Sequence, residues 1–142
     1  MKPVCHYDVN VTFYGFDDND DGEGHYKTAI IAYPHIHDLA TEDVGSYEHP
    51  STFACEEKFI KPGTIIYVPR LQKYYIMEDG CAECSDDWTR DRTKHVDLYI
   101  GGQKLGGKDL IDRENALTLD GPEIIIVHPP KNLPVDIRPL FV

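Results

Sequence analysis

Tyr74 to Gly101, YYIMEDGCAECSDDWTRDRTKHVDLYIG, decides the fold, because an apolar run ends in carboxylates and a second run begins beside one. In Lys94 to Ile100 polar and apolar residues alternate. A strand therefore puts Val96, Leu98 and Ile100 on one face and His95, Asp97 and Tyr99 on the other. The first run, Tyr74 to Met77, gives way at Glu78-Asp79-Gly80 to residues of turn chemistry. Asp79 and Asp97 are thus expected at the ends of two neighbouring strands, close in space.

Outward from this stretch, strand signals recur at short spacing. Tyr7 to Gly15 alternates, with Val9, Val11 and Phe13 on one face and Asn10, Thr12 and Tyr14 on the other. Short β-type runs come next at Lys27 to Tyr33, Ser51 to Ala54, Thr64 to Pro69 and Glu123 to His128, with a tight hairpin over Arg70 to Lys73. His35 to Pro50 reads as a long loop, Lys108 to Thr118 as a short helix, and the tail after Pro129-Pro130 as irregular. Six or seven strands with one or two short helices make an all-β chain, a small barrel or sandwich, in one domain over residues 1–142.

Net charge is −11, with 25 acidic against 14 basic residues, which disfavours nucleic acid and anionic membrane surfaces as partners. No apolar run approaches the roughly 18 residues of a membrane helix. A neutral or cationic partner fits better, and uncharged polysaccharide is the commonest large one. No cofactor is called for, and the expected state is a monomer.

Cys5, Cys55, Cys81 and Cys84 allow three pairings, of which Cys81 with Cys84 and Cys5 with Cys55 is favoured over a zinc site or a redox pair. Met1 to His6 lacks a signal-peptide core, so the chain is cytosolic or a mature secreted form, and the cysteines favour secretion. Asp17 to Gly22 opens like a calcium loop, but Thr28 stands where a bidentate Glu is needed, so a solvated acidic loop is the better reading. His35 and His37 lack a clear third ligand and read as a surface pair, and no metal is expected.

Four motifs in order, Thr12-Phe13-Tyr14-Gly15, Pro62-Gly63-Thr64, Glu78-Asp79-Gly80 and His95-Val96-Asp97-Leu98, resemble the double-psi β-barrel superfamily. That group includes expansins, rare-lipoprotein-A-like, barwin-like and three-aspartate domains, lytic transglycosylases and inverting endoglucanases. The resemblance spans Val9 to Ile126 and implies a six-stranded double-psi β-barrel that binds cell-wall polysaccharide or peptidoglycan. It also implies that Asp97 holds the catalytic-acid position, or its non-hydrolytic counterpart in expansins, and that Thr12 and Tyr14 form the groove wall. The chain departs from three-aspartate domains at Asp79 to Cys84 and in an acidic insert, Ser85 to Arg92.

Cleavage of a glycoside by inversion needs an acid and a water-activating carboxylate roughly 6.5 to 9.5 Å apart. Asp97 is the candidate acid, its proton retained by burial beside Tyr14 and Tyr99 or by repulsion from Asp79. Asp79 is the candidate base, with Asp17 or Asp18 as substitutes. A lytic transglycosylase would need Asp97 alone. Thr12, Tyr14, His95 and Tyr99 are the candidate substrate contacts, and Trp88 could stack on a sugar face. The reading preferred over cleavage is a secreted, expansin-like module that binds glycan in a groove centred on Asp97.

Overall fold

The computed structural model describes residues 3–15, 30–101 and 107–140. Six strands close into a barrel: β1 (Cys5–Tyr14), β2 (Ser51–Cys55), β3 (Ile65–Val68), β4 (Lys73–Asp79), β5 (His95–Tyr99) and β6 (Glu123–Val127). Two helices join them, α1 (Ala82–Asp91) and α2 (Gly107–Leu117). Around the barrel the order is β1, β5, β2, β4, β3, β6, with β1/β5 and β2/β4 parallel and the other four pairs antiparallel. Closure pairs each of these six strands on both sides. No helix among the described residues is long and apolar enough to cross a membrane.

Alternation builds the interior. Val9, Val11 and Phe13 of β1, Val96 and Leu98 of β5, Phe53 of β2 and Ile125 of β6 meet in one buried cluster. Arg70, in the β3–β4 turn, holds the barrel's closing seam. Its guanidinium takes both carboxylate oxygens of Glu123 at 2.9 Å and the Leu117 carbonyl at 3.0 Å, tying the end of α2 to β6.

Three features differ from expectation. First, β4 does not stop at Met77: it runs through Glu78 and Asp79, and both are buried. Between Phe53 and Ala54 the β2/β4 register jumps from Met77 to Asp79, so Glu78 is an extra, bulged residue. A bulge re-aims the side chains beyond it. Met77 packs in the interior, and without the bulge Asp79, two residues on, would point there too.

Second, the acidic insert is helix α1. Cys81 caps its start, Sγ accepting the Cys84 N–H at 3.1 Å, with Glu83 in the first turn where the helix dipole favours an acid. Arg92 ends it in the left-handed region at φ 61°, returning its N–H to the Trp88 carbonyl. Third, Ile30 to Tyr33, the described part of the expected Lys27 to Tyr33 strand, is irregular. Its amides bond β4 singly, Tyr33 N–H to the Glu78 carbonyl at 2.9 Å.

Cys81 and Cys84 are bridged, while Cys5 and Cys55 are free thiols, which corrects the second expected pairing. Strand β5 lies between their strands, and the thiols turn to separate carbonyls, Cys5 to Pro3 and Cys55 to Ile60. Burial pushes the Cys55 thiol far up, so it stays protonated and inert. Asp17 to Gly22 and Thr28, and with them the calcium loop and the substitute bases Asp17 and Asp18, lie outside the described residues.

Candidate functional site

The two aspartates do not lie on neighbouring strands, as expected, because β2 runs between β4 and β5. They meet across it. Ala54 is the register partner of Asp79 on one side and of Asp97 on the other, and Thr12 is the partner of Asp97 on β1. One row therefore reads Thr12, Asp97, Ala54, Asp79 over four adjacent strands. Two strand spacings set the aspartate Cα atoms roughly 9.5 Å apart, with only a methyl group between them.

Above this row sit Tyr14 and Tyr99, two residues further along their strands and therefore on the same face. Their rings meet edge to face at 5.2 Å and, with Ala54, Ile31 and Ala40, form a small cluster separate from the barrel interior. The barrel brings Thr12, Tyr14, Asp79, Asp97, His95 and Tyr99 near one another on this face.

The carboxylates differ in their surroundings. Asp79 is 5% exposed. Its Oδ2 accepts the Tyr14 hydroxyl at 2.8 Å, and its Oδ1 accepts the N–H of Ala32 at 3.1 Å and of Gly80 at 2.9 Å. Burial, then the charges of Asp79 and Asp97, push the Tyr14 phenol well above its ordinary range, so it remains a donor.

Asp97 is half-buried and accepts the Thr12 hydroxyl at 2.9 Å. Thr12 Oγ1 also lies 2.7 Å from His95 Nε2, and His95 Nδ1 lies 2.9 Å from Asp87 Oδ2. Four groups thus stand in a chain, Asp87, His95, Thr12, Asp97, and its three links require three protons. The Thr12 hydroxyl donates to Asp97, and the same oxygen meets His95 Nε2. The arrangement links Asp97 through Thr12 and His95 to a second carboxylate on α1.

Asp87 was hidden within the supposed insert. Read as a helix, Cys84, Asp87, Trp88 and Asp91 share one side, and that spacing would have turned Asp87 toward the barrel with buried Cys84. Trp88 lies beside Asp87 in sequence but apart in contacts. It stacks on Phe59 at 5.7 Å and 19°, under the Arg92 guanidinium at 5.5 Å.

Glu78 serves another purpose. It is fully buried, and its carboxylate accepts the Ile36 N–H at 3.3 Å and pairs with His37 Nδ1 at 3.1 Å. Burial raises its pKa and the His37 charge partly reverses that. His37 is therefore partly buried, and its ring and that of the exposed His35, which packs over Gly63, take different neighbours. No cluster of three metal-ligating side chains occurs among the described residues.

Fold and site together define the class: a small six-stranded closed β-barrel with an outward row of carboxylates, threonine and tyrosine. The chain belongs to the family of the DDB_G0273701 N-terminal domain, whose family model matches residues 6–142. It is similar to a Dictyostelium discoideum protein named as uncharacterized protein DDB_G0273701/DDB_G0273221, 35% identical over 116 residues, covering 82% of this chain and 48% of that protein. The chain spans about half the length of that curated relative. No solved structure matches it.

Proposed function

We propose that this is a secreted, expansin-like carbohydrate-binding protein of the double-psi β-barrel type, with cell-wall polysaccharide or peptidoglycan held in a groove centred on Asp97. The single observation that supports it most is the Asp97 chain: a half-buried carboxylate oriented by Thr12 and, through it, by His95 and Asp87. Such a carboxylate accepts sugar hydroxyls. The double-psi assignment draws on the two parallel pairs, β1/β5 and β2/β4, set within an otherwise antiparallel barrel.

Binding is favoured over two-carboxylate hydrolysis because Asp79 already accepts three hydrogen bonds, one from a buried phenol. That leaves it poorly suited to activating water. A second reading is favoured by the proton chain: glycan cleavage of the lytic transglycosylase type, in which Asp97 alone acts as acid and then as base.

The test is co-sedimentation of the protein with cellulose, chitin, xyloglucan and peptidoglycan, together with assays for reducing ends and anhydro-sugars. Retention on one glycan, weakened by Asp97→Ala and with nothing released, is the expected result. Release that disappears in Asp97→Asn while binding persists would establish the cleaving reading. Neither retention nor release on any of the four would end both.

A further inference from the structure

Away from the Asp97 row, two cavities share a wall. One, of about 510 Å³, is lined by His35, Tyr47, Lys61, Thr64, His128 and Pro129 among others. The second, of about 340 Å³, is lined by Lys61, Thr64 and His128 again, and otherwise mainly by apolar groups including Tyr7, Phe59, Ile60 and Val127. The first is a cationic and polar chamber; the second is its apolar extension. Among the described residues neither has an Asp or Glu in its lining, although the chain carries −11 overall.

We infer that the joined cavities form a binding site for a small organic acid, its carboxylate or phosphate held at Lys61 between the His35 and His128 rings and its apolar body laid over Phe59 and Tyr7. Each cavity lies in the range of small-molecule pockets, roughly 300 to 1,000 Å³, and neither could hold a folded partner. Among the described residues Lys61 makes no ion pair, and this exposed residue lines both chambers. Lys131, over the Tyr47 ring at 5.3 Å, adds a second ammonium beside the polar chamber.

The backbone is specialised around the same space. His128 ends β6 in the left-handed region at φ 55°, a conformation a non-glycine residue adopts at a cost. Gly63, at φ 87°, lies directly against His35: a Cβ there would sit 2.7 Å from ring carbon Cε1. Glycine at 63 is what lets the imidazole lie along the cavity wall. Two unusual backbone positions thus place two imidazoles in one chamber, beside a lysine.

The experiment is a titration of the isotopically labelled whole chain, monitored by amide chemical shifts, with phenylacetate, phenyl phosphate, benzyl alcohol and inorganic phosphate. Saturable shifts at Lys61, Thr64 and His128 with one or both aromatic acids are expected, and which acid binds more tightly distinguishes a carboxylate from a phosphate head. Benzyl alcohol and inorganic phosphate, each lacking half the chemistry, should bind about tenfold more weakly or worse. Lys61→Glu, a change at an exposed position, should weaken both acids by about tenfold, and Phe59→Ala should weaken the acids but not inorganic phosphate. Asp97→Asn should change none of these, so loss of the glycan reading leaves this one standing. No saturable shift with either acid, or equal affinity in Lys61→Glu, overturns the site.

Discussion

Asp79 and Asp97 face each other across the same alanine, yet the barrel treats them as different groups. Asp79 is sealed under Ile30 to Tyr33, bound by a phenol and two backbone amides, and fastens that segment to the end of β4. Asp97 stays half-buried at the end of a proton-bearing chain that starts on α1. A carboxylate whose donors are backbone amides is locked as an acceptor. One whose donor is a hydroxyl backed by an imidazole is held by side chains alone and stays half-open to solvent. The kind of donor, more than the acid or its position in the row, separates an anchor from a reactive group.

The most direct way to break this contrast is to remove each carboxylate. Asp79→Ala leaves buried donors without an acceptor and should cost about 3 kcal/mol of unfolding free energy in urea titrations, whereas Asp97→Ala should cost less than about 1. Equal losses would mean that the two acids play the same role.

Trp88→Ala sharpens it from the α1 side. Loss of the half-buried stack on Phe59 should cost about 2 kcal/mol in the same titration, while glycan retention stays unchanged. Weaker retention at undiminished stability would instead put Trp88 in the groove.

Glu78, beside Asp79 in sequence, supplies a pH test. Burial holds its folded pKa above the ordinary 4.5, with His37 opposing. The folded state then binds the proton more tightly than the unfolded chain, so this contribution is fully present below pH 4.5 and is lost as pH rises through the folded value. Urea midpoints measured upward from there should fall in the natural chain relative to Glu78→Gln, which has no proton to lose. Parallel curves for the two proteins would contradict the assignment.

The smallest expected effect is the coupling between Asp87 and His95. A double-mutant cycle of Asp87→Asn and His95→Gln should return about 1 kcal/mol, and zero would mean that the helix merely passes by the ring.

Much of the barrel was legible because interior and exterior residues alternate strictly. Val9, Val11 and Phe13 against Asn10, Thr12 and Tyr14, and Val96 and Leu98 against Asp97 and Tyr99, set the facing of β1 and β5 from residue order alone. Glu78 and Asp79 defeated that logic. Acids in a row suggest a turn, and a bulge that turns both from the interior leaves no periodic trace. Helix α1 was obscured by its charge: Ser85 to Arg92 is mostly polar, and its N-cap is a cysteine, a residue that rarely signals a helix start.

Outside the β4 bulge the order of residues therefore determined which side chains face outward, since a regular strand has a period of two. It also placed Thr12, Tyr14, Asp97 and Tyr99 on one outer surface. Which of them touch was decided only by closure of the barrel. Inserting β2 between β5 and β4 set Ala54 between the aspartates, and docking α1 brought Asp87 to His95. Contacts between residues so far apart in the chain depend on strand order and register, which are fixed only by packing the whole interior at once.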